Sequence, residues 1–163
     1  MAKPSFEAFY RANLKRIYAF VYFRVGADKP LAEDLVQDIF MKAFEAFDRY
    51  DPAISESAWI YTIARNHLIN EMAKRKPGVP IEEVEDSIFF SVDARERLAV
   101  KDDERRLLEA IGLLEKDDAQ LLRMKYLEGW RFEELAEIFE KNPGTLRVQA
   151  NRAMKKLKKT IKP

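Results

Sequence analysis

The chain has 163 residues, of which 47% are hydrophobic and 35% are charged, and its formal net charge is only +1. It has no cysteine and a single histidine, so a disulfide framework, a thiolate metal site and a histidine-rich metal site are excluded. No apolar run fits a signal peptide or a membrane span, so a cytoplasmic protein is the default expectation. This length fits one domain or two small ones.

The first half of the chain predicts three amphipathic helices, because apolar residues recur at helical spacing between start and stop signals. These signals, in chain order, are Ser5 and Gly26, Asp28 and Pro52, and Ser55 or Ser57 and Pro77. Serine and aspartate favour the cap position before a helix, whereas glycine and proline favour its end. In the second helix, the spacing of Leu35, Ile39, Phe40 and Phe44 predicts a buried face.

An acidic stretch separates two predicted domains, residues 1–76 and residues 105–163. Residues 77–104 begin with prolines and a glycine, are rich in acids, and contain a short apolar run at 88–90. We interpret them as a linker in which a helix resumes near 93–101. In the second domain, the polar run 116–118 predicts a break between two helices. The predicted fold class is all-α, with two small helical domains joined by this linker.

The last fifth of the chain has the sequence form of a helix-turn-helix. A short amphipathic helix over 132–139 runs into a break at 140–142, and a long basic helix follows. Asn142 is a good N-cap, and Pro143 suits the first helical position. The predicted apolar face of the basic helix consists of Leu146, Ala150, Ala153, Leu157 and Ile161. A basic helix can be merely solvated, but the cap, the break and the preceding helix together favour DNA binding.

Two blocks of the sequence resemble the extracytoplasmic-function sigma factors, the compact two-domain type of bacterial sigma subunit. The first block is AEDLVQDIFMKAFEAFDRYD, from Ala32 to Asp51, followed by AWIYTIARNHLIN, from Ala58 to Asn70. The second block is filled by Leu122, Arg123, Glu128, Gly129, Glu133, Glu134, Leu135, Ala136, Gly144, Thr145, Leu146 and Arg147. The order and spacing of both blocks match the family, whereas a helix-turn-helix alone occurs in many regulators.

An acidic face on the second helix is a candidate docking surface. Asp34, Gln37, Asp38 and Met41 share helical spacing and therefore one face. Without the resemblance, this face would be interpreted as simply solvated. The resemblance implies that it binds the clamp coiled coil of the largest subunit of core RNA polymerase.

Aromatic and polar residues on and before the third helix form a second candidate site. Aromatic faces can stack unpaired bases, at about 1–3 kcal/mol per base. The resemblance implies that this region captures the non-template strand of the minus-ten element, that Asn66 reads a flipped base, and that the loop 52–57 assists. The candidate residues are Tyr50, Trp59, Tyr61, Arg65, Asn66, Lys74 and Arg75. For Trp59 alone, burial in the core is the favoured interpretation.

The basic helix is the third candidate site. Arginine suits guanine in the major groove, whereas glutamine and asparagine suit adenine. The candidate contacts to the minus-thirty-five element are Arg147, Gln149, Asn151, Arg152, Lys155 and Lys156. Val148 and Gln149 replace the Ser-Arg pair that is frequent in the family, and Arg131 stands where a capping serine is usual. These departures leave the target sequence open.

The sequence predicts a binding protein rather than an enzyme. No paired carboxylates, nucleophile–base set or metal-ligand spacing is present, so no cofactor or metal is expected, and His67 is expected to be a polar surface residue. The resemblance implies core RNA polymerase and promoter DNA as partners, and an anti-sigma protein is a further candidate partner. The alternative is a helix-turn-helix transcription regulator whose N-terminal helices bind a ligand or a partner.

Overall fold

The structure, a computed structural model, describes residues 3–90 and 102–161, and every regular element in these ranges is helical. The helices are α1 Phe6–Tyr22, α2 Lys29–Ala46, α3 Glu56–Lys74, α4 Ile81–Phe90, α5 Asp102–Gly112, α6 Lys116–Leu122, α7 Phe132–Phe139 and α8 Pro143–Ile161. A 3₁₀ turn, Phe47–Arg49, follows α2, and a π-helical turn, Arg123–Leu127, follows α6. This architecture confirms the all-α prediction. The helix predicted near 93–101 lies outside the described residues.

Four helices begin at the side-chain caps that the sequence predicts. The side-chain oxygens of Ser5, Asp28, Ser55 and Asn142 each accept a hydrogen bond, of 2.8–3.3 Å, from a backbone N–H two or three residues further on. Such a bond satisfies one of the free N–H groups of the first helical turn. The third helix is therefore capped by Ser55 rather than by Ser57.

Helices α1, α2 and α3 pack pairwise around one apolar core. Phe9, Ile17, Ile39 and Ile60 are completely buried in it. The predicted burial of Phe44 is wrong, because its side chain is 62% exposed. Phe44 lies in the last turn of α2, where it meets the Phe6 ring edge-on, 5.0 Å away between centroids.

The predicted linker begins with a packed helix that the sequence interpretation missed. In α4, Val84, Ile88 and Phe89 are buried, and the helix packs against α3 and α6. The apolar run at 88–90 is thus the end of a helical stripe that includes Val84, four residues before Ile88. The predicted break at 116–118 is also misplaced, because it lies at 113–115 and α6 already begins at Lys116. Acidic side chains at the start of α6 suit the positive end of its dipole.

Within the described residues, no helix is both long enough and apolar enough to cross a membrane.

Candidate nucleic-acid interface

The two helices of the predicted helix-turn-helix are joined by a three-residue turn. Glu140 ends α7 in the left-handed backbone region, with φ of 54°, and Asn142 then caps α8. The buried side of α8 consists of Leu146, Ala150, Ala153 and Leu157. Ile161, which was predicted on the same side, is 46% exposed because it lies at the end of the helix. The packing of α5, α6 and α7 on the apolar side leaves the opposite side of α8 open.

The six predicted contact residues of α8 all lie on its open side or at the edge of that side. Five of them are exposed, and Gln149 is half-buried. Val148, at 49% exposure, lies among them. The open side of α8 has basic but no acidic side chains of its own, so it attracts phosphates.

Contacts with neighbouring elements hold two of these residues. The guanidinium of Arg147 donates to Glu133 Oε1 at 2.9 Å. It also lies over the Phe132 ring, 5.4 Å from its centroid. The amide nitrogen of Gln149 donates to Asp118 Oδ1 at 2.8 Å, and its oxygen accepts from Lys141 Nζ at 3.4 Å. Asp118 was missed by sequence reasoning, because nothing local relates residues 31 positions apart.

A cleft of about 480 Å³ opens beside these residues. It is lined by Asp118, Thr145, Val148, Gln149, Arg152 and Lys156. The cleft therefore lies along the open side of α8, where base edges would reach the helix.

The candidate minus-ten residues divide into two groups. Tyr50 and Trp59 lie together, with ring centroids 4.8 Å apart. Tyr50 is 4% exposed, and its hydroxyl donates to the backbone oxygen of Ile54 at 2.7 Å. Burial raises the pKa of Tyr50. Tyr61 packs elsewhere, against Phe20 and a tryptophan of the second half of the chain, and burial raises its pKa too.

The polar candidates on or next to α3 differ in their exposure and in whether they form ion pairs. Asn66 is exposed. Arg65 forms an ion pair with Glu85 of α4, and Lys74 pairs with Glu71 at 3.1 Å. Arg75 is exposed at the end of the helix. Glu85 of the acidic helix α4 thus pairs with a cation that the sequence analysis placed among the minus-ten candidates.

The candidate docking face on α2 borders an apolar groove. Asp34, Gln37, Asp38 and Met41 are all exposed, as their spacing requires. The groove, of about 640 Å³, runs between α1 and α2. Its lining includes Tyr10, Leu14, Tyr18, Val36, Gln37, Phe40, Met41 and Phe44. Sequence reasoning missed the groove because Phe44, which lines it, was expected to be buried.

His67 is 5% exposed, so the expectation of a surface residue is wrong. Its Nε2 atom lies 3.6 Å from Asp38 Oδ2 because α2 packs over this part of α3. Burial lowers the pKa of His67, and the positive charge of Lys42 lowers it further. The carboxylates of Glu71 and Asp38 oppose this shift. Burial therefore favours the neutral form of His67 beside the candidate docking face.

A buried ion pair joins the two halves of the chain. Arg24 Nη1 and Glu128 Oε2 are 2.5 Å apart, and both side chains are completely buried. The other oxygen of Glu128 accepts from the indole nitrogen of Trp130 at 3.0 Å. Trp130 is itself completely buried and meets the Tyr61 ring edge-on, 6.0 Å between centroids. The interface thus covers an aromatic residue assigned to the minus-ten site.

Glu134 of α7 forms a second connection between the halves. It is 5% exposed and accepts hydrogen bonds from the side chains of Arg16 and Ser57. Its other oxygen accepts from the backbone N–H of Arg131 at 2.8 Å. Glu134 therefore closes the first turn of α7 although Arg131 replaces the usual capping serine. The loop 52–57 lies directly beside α7 in this arrangement.

Family models match both halves of the chain. Residues 9–77 match sigma-70 region 2, and residues 104–157 match sigma-70 region 4. The first match covers α1 to α3, and the second covers the helix-turn-helix. The alternative of a helix-turn-helix regulator whose N-terminal helices bind a ligand or a partner is therefore not favoured.

Similar proteins match the chain over most of their length. The chain is 28% identical to the RNA polymerase sigma factor CarQ of Myxococcus xanthus, over 98% of the chain and 91% of CarQ. It is 27% identical to the RNA polymerase sigma-H factor of Pseudomonas aeruginosa, over 83% and 76% of the two chains. A solved structure of the sigma factor RpoE from Bartonella quintana, in complex with the anti-sigma factor NepR, matches with a TM-score of 0.57 and 25% identity. That match covers 95% of this chain and 97% of the other.

Proposed function

We propose how this chain works from one premise: it belongs to the extracytoplasmic-function sigma factors. As a sigma factor, it directs bacterial core RNA polymerase to specific promoters and helps to melt them. Its partners are accordingly core polymerase and promoter DNA. The division of labour among its residues is the proposal, and it assigns docking to α2, the minus-ten element to α3, and the minus-thirty-five element to α8.

The open side of α8 is the observation that carries this proposal. Exposed arginine, asparagine and lysine side chains surround a half-buried glutamine on a helix whose other side is anchored in the core. This arrangement can place polar groups against base edges and cations against phosphates in the major groove. Arg147, Gln149, Asn151 and Arg152 read bases, whereas Lys155 and Lys156 bind phosphates.

The melting role falls to the exposed part of α3 and the adjacent loop. Asn66 is exposed and can read an extruded base, and Tyr50, packed against Trp59, holds the loop 52–57 through its hydrogen bond to Ile54. Extruding a base costs a few kcal/mol, which base stacking and one polar contact can offset. Because this process is driven by binding, the chain itself catalyses no reaction, and polymerase performs the nucleotidyl transfer.

The two halves must separate before both promoter elements can be read. Elements centred about 25 base pairs apart lie about 85 Å apart along B-DNA, at 3.4 Å per base pair. The buried contacts between Arg24 and Glu128, and between Glu134 and Ser57, hold the halves together instead. In this proposal the arrangement with these contacts is a closed form, and binding to core polymerase selects an open one.

Two further features complete the proposal. The chain works in the cytoplasm, because its partner polymerase does. An anti-sigma protein is a partner as well, by analogy with the similar structure of RpoE in complex with NepR.

A comparison of DNA binding with and without core polymerase tests the proposal. Fluorescence anisotropy of a labelled promoter duplex is measured with the chain alone and with the chain plus core enzyme. The closed form predicts weak, salt-sensitive binding by the chain alone and tight, sequence-specific binding by the holoenzyme. Tight specific binding by the chain alone would instead indicate a conventional regulator.

A further inference from the structure

The side chain of Gln149 is held by residues from two other parts of the second half of the chain. Its Nε2 donates to Asp118 Oδ1 at 2.8 Å, and its Oε1 accepts from Lys141 Nζ at 3.4 Å. Asp118 lies in the first turn of α6, which packs against α8, and Lys141 lies in the turn before α8. The amide is therefore fixed from both ends, at the edge of the cleft along the open side of α8.

The Gln149 amide has more hydrogen-bonding groups than Asp118 and Lys141 use. A glutamine amide has two N–H donors and an oxygen with two lone pairs. Asp118 uses one donor and Lys141 uses one lone pair, so one donor and one lone pair remain. Adenine requires this combination in the major groove, because its N7 accepts and its N6 amino group donates.

Asp118 also determines the orientation of the Gln149 amide. An ionised carboxylate can only accept hydrogen bonds, so it favours the amide nitrogen and repels the amide oxygen. We propose that Asp118 is a positioning residue that orients Gln149 to read adenine at one base pair of the minus-thirty-five element. The proposal rests on the proposed function, in which α8 enters the major groove. It adds a specificity determinant that lies outside the helix-turn-helix.

A purely electrostatic role for Asp118 predicts a different result. An acidic side chain near DNA repels phosphates whatever the base sequence. Its removal would then strengthen binding to every sequence alike. The neighbouring residue Asp117, which has the same charge and is exposed, provides the matched control for this effect.

The experiment uses holoenzyme, assembled from core polymerase and the full chain, and duplexes with a randomised minus-thirty-five element. Bound duplexes are sequenced, and base preference is calculated at each position. Wild type should prefer adenine at one position by about 5- to 150-fold, the range expected for a bidentate contact. Gln149→Ala should abolish that preference. Asp118→Ala and Asp118→Leu should lose most of it, because neither side chain can accept from Gln149, and should have no further effect on it when combined with Gln149→Ala.

The controls separate the possible failures. Asp117→Ala should leave the adenine preference unchanged, and Lys156→Ala should weaken all sequences alike and lower the salt slope by about 1. If Gln149→Ala removes the preference but neither Asp118 variant does, the positioning role is overturned and the proposed function stands. If Gln149→Ala changes no position, both the assignment of Gln149 as a base reader and the positioning role fail. Asp118→Leu, which has a similar size but no acceptor oxygen, keeps the test decisive if Asp118→Ala unfolds.

Discussion

Asn66 is the residue on which the melting proposal depends most. Asn66→Ala should slow open-complex formation and weaken base preference at one minus-ten position, because the extruded base loses its polar contact. A pre-melted template should restore part of the rate, since the cost of unstacking is then already met. Permanganate footprinting of wild type and variant measures this directly. Asn70→Ala, exposed one turn further along α3, is the control and should behave like wild type.

His67 gives the protein a specific pH dependence. Burial and Lys42 lower the pKa of His67 in the folded state, so the unfolded state binds the proton more readily. The resulting stability is present above the ordinary histidine pKa of about 6.5 and is lost as the pH falls below it. Thermal unfolding of wild type and His67→Gln should therefore show wild type losing more stability between about pH 7.5 and pH 5.5. Parallel curves for the two proteins would show that His67 is not held neutral.

At the scale of single elements, α2 is the helix that we propose to bind core polymerase. Asp34→Lys with Asp38→Lys should weaken binding to core polymerase strongly. The fold should remain intact, because surface substitutions usually change stability by no more than about 0.5 kcal/mol. Asp34→Lys alone should show part of the loss, which excludes an effect through the contact between Asp38 and His67.

Glu7→Lys with Asp48→Lys makes the same change in charge at other exposed positions of the first half and serves as the control. Pull-down with core enzyme provides the measurement, and circular dichroism checks the helices. Unchanged core affinity in the Asp34 and Asp38 double variant would remove α2 from the docking surface.

Elements with strong local signals were predictable from the sequence. Asn142 followed by Pro143 marked the start of α8, and Asp28 before Pro30 marked that of α2, because cap chemistry is encoded within a few residues. The helix α4 was missed because its acidic residues and flanking prolines resemble a linker, whereas burial of Val84 and Phe89 depends on partners far along the chain. Tertiary packing likewise decided the exposure of Phe44 and the burial of His67.

At the scale of the whole molecule, the contacts between the halves could not be predicted from the sequence. Arg24 and Glu128 are 104 positions apart, and neither has a local pattern that marks it as buried. The same holds for Glu134, which looks like an ordinary first-turn acid of α7. Most of the candidate surface of α8 was nevertheless predictable, because helical spacing alone separates its buried and open sides.

The buried ion pair predicts that removing one of its charges destabilises the protein more than removing both. Glu128→Gln should destabilise the protein by about 3–5 kcal/mol, because it leaves the buried Arg24 without its counter-charge. Arg24→Met combined with Glu128→Met should cost much less, since both charges are then removed together. Urea unfolding of the three proteins measures the difference. Equal losses in the single and double variants would contradict this description of the interface.

Whether the chain directs core polymerase to promoters can be tested by transcription from a genomic library. Core polymerase transcribes the library with and without the chain, and the 5′ ends of the transcripts are mapped. If the chain acts as a sigma factor, new start sites should appear only with the chain and should share two upstream sequence blocks. Gln149→Ala should alter only the block near minus thirty-five, and Asn66→Ala only the block near minus ten. The absence of new start sites would contradict the role as a sigma factor. An effect of both variants on the same block would contradict the assignment of the two promoter elements to α3 and α8.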